Sequence, residues 1–200
     1  TIRKPLIING NGHTIDGLNK SRIFNIENRY FVLNIIEPIN ISLNNVKFSN
    51  GNAVVGGAIG FIETNPDVTT IVVGGVEFVS KKITHSINNC TFINNFADYG
   101  GAISSSGGIL RNCTFINNFA EDGGAIGFSD GGSVINCTFV NNHASEKGGA
   151  IHKNDYGIYN FTKCKFLNNS AEDGAAISSS YCSCYIEDCM FYDNSANEGT

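Results

Sequence analysis

Carboxylates recur through the second half of this 200-residue chain at intervals of roughly two dozen residues. Asp98, Glu121, Glu146 and Glu172 form one series, followed by Asn197; Tyr99, Asp122, Lys147, Asp173 and Glu198 run beside it. Like charges one repeat apart repel unless water or a cation separates them. The ridge therefore reads either as a solvated edge or as a surface for Ca²⁺ or a cationic partner, since Ca²⁺ takes carboxylate oxygens. The Gly-Gly-x-Gly-x-Asp repeat of a dedicated Ca²⁺ solenoid is absent. Next to the acids stand Phe96, Phe119 and His143, then Ser170 and Ser195. Phe96 and Phe119 read as an aromatic patch for a sugar or a protein, or as aromatics that pack a turn.

Nucleophiles and acid–base groups come next. The seven cysteines are an odd number, so they cannot all close into a disulfide framework. Five of them (Cys90, Cys113, Cys137, Cys164 and Cys189) recur in register; buried thiols or a few disulfides fit that pattern. Cys182 and Cys184 form a C-x-C with no histidine nearby in sequence, a weak signal for a metal. Glycoside hydrolysis needs paired carboxylates at a fixed separation, and β-elimination needs a base with a cation or Arg. Adjacent carboxylates occur at Glu121-Asp122, Glu172-Asp173 and Glu187-Asp188, and the last pair should face opposite sides of a strand. The histidines (His13, His85, His143, His152) are scattered, and Arg111 is the only arginine after Arg29. Catalytic residues break a repeat, whereas most of these acids obey it. No catalytic residues and no enzyme activity are expected.

The element that positions these groups is the repeat itself. Cys90-Thr91-Phe92-Ile93-Asn94-Asn95 returns as Cys113 to Asn118, Cys137 to Asn142, Cys164 to Asn169 and Cys189 to Asn194. The steps are 23, 24, 27 and 25 residues. Gly-Gly-Ala-Ile follows at Gly100, Gly123 and Gly148, varied to Gly174-Ala175-Ala176-Ile177, with a looser copy from Val46 to Ile59. Each unit reads as three short strands and three turns. The fold class is all-β: a right-handed, single-stranded parallel β-helix of about eight coils, its rise set by the ~4.8 Å strand spacing. Cys and Phe share the inner face, because side chains alternate along a strand. Ile59, Ile103, Ile126, Ile151 and Ile177 should stack as another inner column. Asn95, Asn118, Asn142, Asn169 and Asn194 are expected in a left-handed turn, bonded from coil to coil. The glycine pair makes a second tight turn.

Composition agrees. Gly (23) and Asn (28) are abundant, which starves helices, while 42% hydrophobic residues and 16% charged ones argue against disorder. The net charge of −5 divides into +2 over residues 1–95 and −7 over 96–200. That acidic balance and the lack of basic clusters exclude nucleic acid as a partner. No apolar run approaches the ~20 residues of a membrane span. Residues 1–200 read as one β-helical segment of a longer solenoid, because Glu198-Gly199-Thr200 stops where another Gly-Gly-Ala-Ile is due. Residues 60–85, with Pro66-Asp67 and Gly74-Gly75, interrupt the period as an expanded coil or protruding loop. Sequons fall at Asn19, Asn40, Asn89, Asn112, Asn136, Asn160 and Asn168.

Two motifs carry a resemblance. Phe92-Ile93-Asn94-Asn95 fits F-x-x-N and Gly100-Gly101-Ala102-Ile103 fits G-G-A-[ILV], the tandem motifs of polymorphic outer-membrane-protein adhesins. The fuller N-C-T-F-x-N-N wording, with Gly10-Asn11-Gly12-His13-Thr14-Ile15-Asp16-Gly17 at the start, resembles adhesin-like surface proteins of methanogenic archaea. The resemblance implies a surface-exposed right-handed β-helix, extracellular placement at the cell surface, and binding to a glycan or protein of a partner cell. It transfers no catalytic residues. The alternative function is a β-helical polysaccharide lyase or glycoside hydrolase.

Overall fold

The computed structural model describes residues 6–28, 40–63, 70–73, 76–79, 84–105, 107–129, 131–154 and 157–198. The chain is a parallel β-helix. Its first sheet stacks seven strands: Leu6–Asn9, Asn40–Asn44, Thr84–Asn88, Ile109–Arg111, Gly132–Ile135, Ile158–Thr162 and Ser183–Glu187. The second stacks Thr14–Asp16, Lys47–Ser49, Thr91–Ile93, Thr114–Ile116, Thr138–Val140, Lys165–Leu167 and Met190–Tyr192. The third runs through Phe24–Asn28, Ile59–Glu63, Ile103–Ser105, Ile126–Phe128, Ile151–Asn154 and Ile177–Ser180. Every pairing in these sheets is parallel, and the described coils number seven.

Alternation explains the core. In each Thr-Phe-Ile strand the phenylalanine is buried and its neighbours are half-exposed. Phe48, Phe92, Phe115, Phe139, Phe166 and Phe191 stack one per coil, with ring centroids 4.8–5.1 Å apart. Leu43, Ile87, Leu110, Val134 and Phe161 line the inside of the first sheet, and Ile59, Ile103, Ile126 and Ile151 the third. All seven cysteines are free thiols. Cys90, Cys113, Cys137 and Cys164 are buried, and each donates back to a carbonyl two residues earlier, as Cys90 Sγ does to Asn88 O at 3.2 Å.

The corners need left-handed backbone. Asn89, Asn112, Asn136, Lys163 and Asp188 occupy one, with φ of 51–55°. The next is taken by the first asparagine of each pair (Asn94, Asn117, Asn141, Asn168, with Asp193 last; φ 51–54°). The second asparagine, expected to be the left-handed one, is not. The corner before it aims its amide inward, where Asn95, Asn118, Asn142 and Asn169 are buried and bonded from coil to coil. Gly100, Gly123, Gly148 and Gly174 make the third corner at φ 64–66°, and a Cβ on Gly100 would lie 2.2 Å from the Ile103 carbonyl oxygen.

A second difference lies in the stretch read as an acidic turn. From residue 119 it is extended and forms a fourth parallel sheet: Phe119–Asp122, His143–Lys147, Ser170–Asp173 and Ser195–Glu198. Isolated bridges Asn52↔Phe96↔Phe119 and Val55↔Tyr99↔Asp122 prolong this column toward the N-terminus. Residues 64–69, 74–75 and 80–83 of the 60–85 interruption lie outside the described residues, with Gly199 and Thr200. Within that interruption, Thr70–Val73 pairs antiparallel with Val76–Val79, while Lys47–Ser49 pairs directly with Thr91–Ile93. Among the described residues no helix is long and apolar enough to cross a membrane.

Two substitutions test this scheme by urea unfolding. Asn142→Ala should cost about 1–3 kcal/mol for each buried group it leaves without a partner. Lys163→Asn should gain up to about 1 kcal/mol, since asparagine tolerates the left-handed corner that lysine resists.

Candidate functional site

The fourth sheet builds the candidate site. Its strands turn alanine inward: Ala97, Ala120 and Ala144 are fully buried, and a small side chain lets this wall close on the core. Alternation then sends the residues on either side outward. Phe96 (42% exposed) and Phe119 stack with centroids 5.2 Å apart and planes within 5°. His143 continues the ladder at 5.1 Å, tilted by 36°, and its Nδ1 sits 2.8 Å from Ser170 Oγ. The aromatic patch is therefore one column, Phe96–Phe119–His143–Ser170–Ser195, in strand register.

The acids separate into two environments. Asp98, Glu121, Glu146 and Glu172 are all exposed, along one edge of the solenoid. Asp122 and Asp173 are half-buried, in register with Lys147 between them, and Glu198 follows Asp173. The Asp122–Lys147–Asp173–Glu198 column thus alternates charge over its first three members. Lys147 places a positive charge in register between the two aspartates. Between Ala144 and Lys147 the strand carries one residue more than between Ala120 and Asp122, a bulge that brings Lys147 into register. Among the described residues no three His, Cys, Asp or Glu side chains gather into a group that could hold a metal ion. That includes the surroundings of Cys182 and Cys184.

Two residues behind the ridge were not singled out by their sequence positions. Tyr99 lies in register with Asp122, its hydroxyl donates to Phe128 O at 2.8 Å, and its ring fills the space that a Cβ on Gly127 would need. It also meets His152 edge-on, with centroids 6.0 Å apart. His152 is buried, and burial lowers its pKa below the ordinary 6.5, against the opposing pull of Asp122 and Asp173. Glycine facing a tyrosine one column away is a pairing visible only once the coils are stacked. The remaining histidines do not join this group: His85 is buried against Phe61 at 3.9 Å, and His13 is exposed. Glu187 ends a first-sheet strand while Asp188 takes the left-handed corner, so that pair does not sit on opposite faces of one strand.

A cleft of about 380 Å³ opens elsewhere, at the last coil, between Ala175–Ile177 and Ile186, Phe191 and Tyr192; Asp193 is the only carboxylate in its lining. Asn89, Asn112 and Asn136, three of the sequon asparagines, stand exposed at successive corners. Asn136 Nδ2 donates to Asn112 Oδ1 at 2.8 Å.

Residues 89–106, 112–129 and 136–153 match the Chlamydia polymorphic membrane protein (Chlamydia_PMP) repeat. Each matched segment runs from a left-handed corner through the buried Phe and Asn, the fourth-sheet edge and the glycine corner to the third sheet. No curated protein and no solved structure matches the chain.

Because the fold holds His152 neutral, its contribution to stability is complete above pH 6.5 and is lost as pH falls through its lowered value. Melting temperature should therefore fall as pH drops below about 6.5, and His152→Gln should flatten that part of the profile.

Proposed function

We propose that this chain is a non-catalytic, adhesin-like segment of a cell-surface protein, a stiff β-helical stalk whose fourth-sheet edge binds glycans or proteins of a partner cell. The match to the polymorphic membrane protein repeat supports a repeat-bearing protein of the surface or outer-membrane type. The N-C-T-F-x-N-N and Gly-Gly-Ala-Ile wording, which resembles that of adhesin-like surface proteins of methanogenic archaea, points the same way.

One observation carries the reading: outward-facing rings, Phe96 exposed and Phe119 half-buried, repeat together with exposed carboxylates along one edge, at the pitch of the coil. Phe96 and Phe119 turn their faces to each other, so a ligand meets their edges. Beside them, Asp98, Glu121, Glu146 and Glu172 accept hydrogen bonds from sugar hydroxyls or from the lysines and arginines of a protein. A linear partner can engage several coils at once, so weak contacts add along the rod. The acids follow the period rather than breaking it, which suits a repeated surface better than a single reaction centre.

The experiment is a glycan array and a partner-cell binding assay with the full chain, run beside a viscometric assay on polyuronates. Binding without cleavage is expected. The double variant Phe96→Ala/Phe119→Ala should weaken it about tenfold or more, as the loss of central aromatic anchors does. Turnover of a polyuronate would replace this reading with the polysaccharide lyase or glycoside hydrolase alternative.

A further inference from the structure

Lys153 lies where a β-helix has no ordinary use for a charge. It is in register with Phe128 of the preceding coil and Ser179 of the following one, and it is 0% exposed. Its Nζ is 3.9 Å from the centroid of the Tyr159 ring and donates to Cys182 Sγ. An ammonium removed from water is costly unless a partner offsets its charge. Of these two neighbours, the ring offers a quadrupole and the sulfur can carry a full negative charge.

The recurring thiols sit differently. Cys189, half-buried like Cys182, donates to Glu187 O at 3.3 Å and to Phe161 O at 3.5 Å. Cys90 and Cys164 donate to carbonyls too, and burial pushes the Cys164 thiol up to about 12. Cys137 is raised as well, first by its hydrogen bond with Cys113. Cys182 thus combines partial exposure with a cation against its sulfur.

We propose that Cys182 and Lys153 form a peroxide-responsive modification site that ends in a covalent nitrogen–sulfur link between two successive coils. In the first step the Cys182 thiolate attacks a hydroperoxide. The O–O bond breaks, sulfur gives up two electrons and becomes a sulfenic acid, and hydroxide leaves. That hydroxide takes a proton from the Lys153 ammonium. The freed amine then attacks sulfur; the N–S bond forms, the S–O bond breaks, and water departs. Overall, ammonium, thiolate and hydrogen peroxide give a sulfenamide and two waters. Lys153 is already seated at the sulfur, so the second step needs no rearrangement of the coil. The link would join strand Ile151–Asn154 to the segment that follows its neighbour Ile177–Ser180.

The test uses the full chain at neutral pH. Iodoacetamide should label Cys182 about tenfold faster than Cys189, and Lys153→Met should erase most of that difference. Hydrogen peroxide should remove two hydrogens from the intact mass, and peptide mapping should find Lys153 joined to Cys182. Cys182→Ser should abolish the link, and thiol reductant should reverse it. Equal labelling of Cys182 and Cys189 would overturn the proposal. So would a peroxide product in which Cys182 is bonded to Cys184 and Lys153 remains a free amine. The mapping is done on the unsubstituted chain, so it decides the matter even where a Lys153 variant folds poorly.

Discussion

The asparagine ladder is the constraint on which the rest of this solenoid depends. Asn118, Asn142 and Asn169 each donate two side-chain hydrogen bonds and accept two. Asn118 Nδ2 donates to Asn142 Oδ1 at 2.9 Å and to Phe92 O at 3.1 Å, while its Oδ1 accepts from the Asn95 backbone N–H at 3.1 Å and from Asn95 Nδ2 at 2.9 Å. Asn142 and Asn169 repeat the scheme one coil further on. A buried amide with any of these bonds missing costs free energy, and low dielectric raises that cost. The ladder therefore admits only one register and one pitch. Phenylalanines at a distance of 4.8 Å are a consequence, since each sits two residues before the left-handed corner that aims the next amide inward.

A fixed pitch turns side-chain choice into surface pattern. Once Ala120 and Ala144 face inward in the fourth sheet, the residues flanking them must face out. Column by column, the chain then decides whether like groups meet. Rings are stacked with rings, which is favourable. Fully exposed carboxylates are left to water. In the neighbouring column the exposed Lys147 stands in register between the half-buried Asp122 and Asp173. The bulge between Ala144 and Lys147 makes that alternation possible: without the added residue, Glu146 and not Lys147 would oppose Asp122.

Much of this is legible in the residues themselves, because a solenoid repeats its instructions. Cys-x-Phe-x-Asn-Asn and Gly-Gly-Ala-Ile are enough to place the inner columns, the parallel stacking and the ridge. What escapes is information held between coils. Two adjacent asparagines look alike in sequence, and only the stacked structure distinguishes Asn94, whose backbone turns, from Asn95, whose amide is shared. The fourth sheet is hidden because Phe-Ala-Glu-Asp carries one inward alanine and no apolar alternation. Tyr99 over Gly127 and His152 beside it belong to different repeats, so no local pattern announces them.

Periodic and aperiodic residues thus divide the labour. Groups that follow the period produce surfaces: the ring ladder and the exposed acids are the same feature offered at successive heights. Groups that break it face neighbours found nowhere else in the stack. Lys153 follows Phe128 in a core column, and Cys182 lies outside the recurring cysteines. The core can bear a lysine there because a ring and a sulfur face its amine. The same desolvation that makes an unpaired charge expensive makes a paired one chemically distinct. In a core built largely of repeated columns, a position that departs from the repeat is where specific chemistry has room to arise.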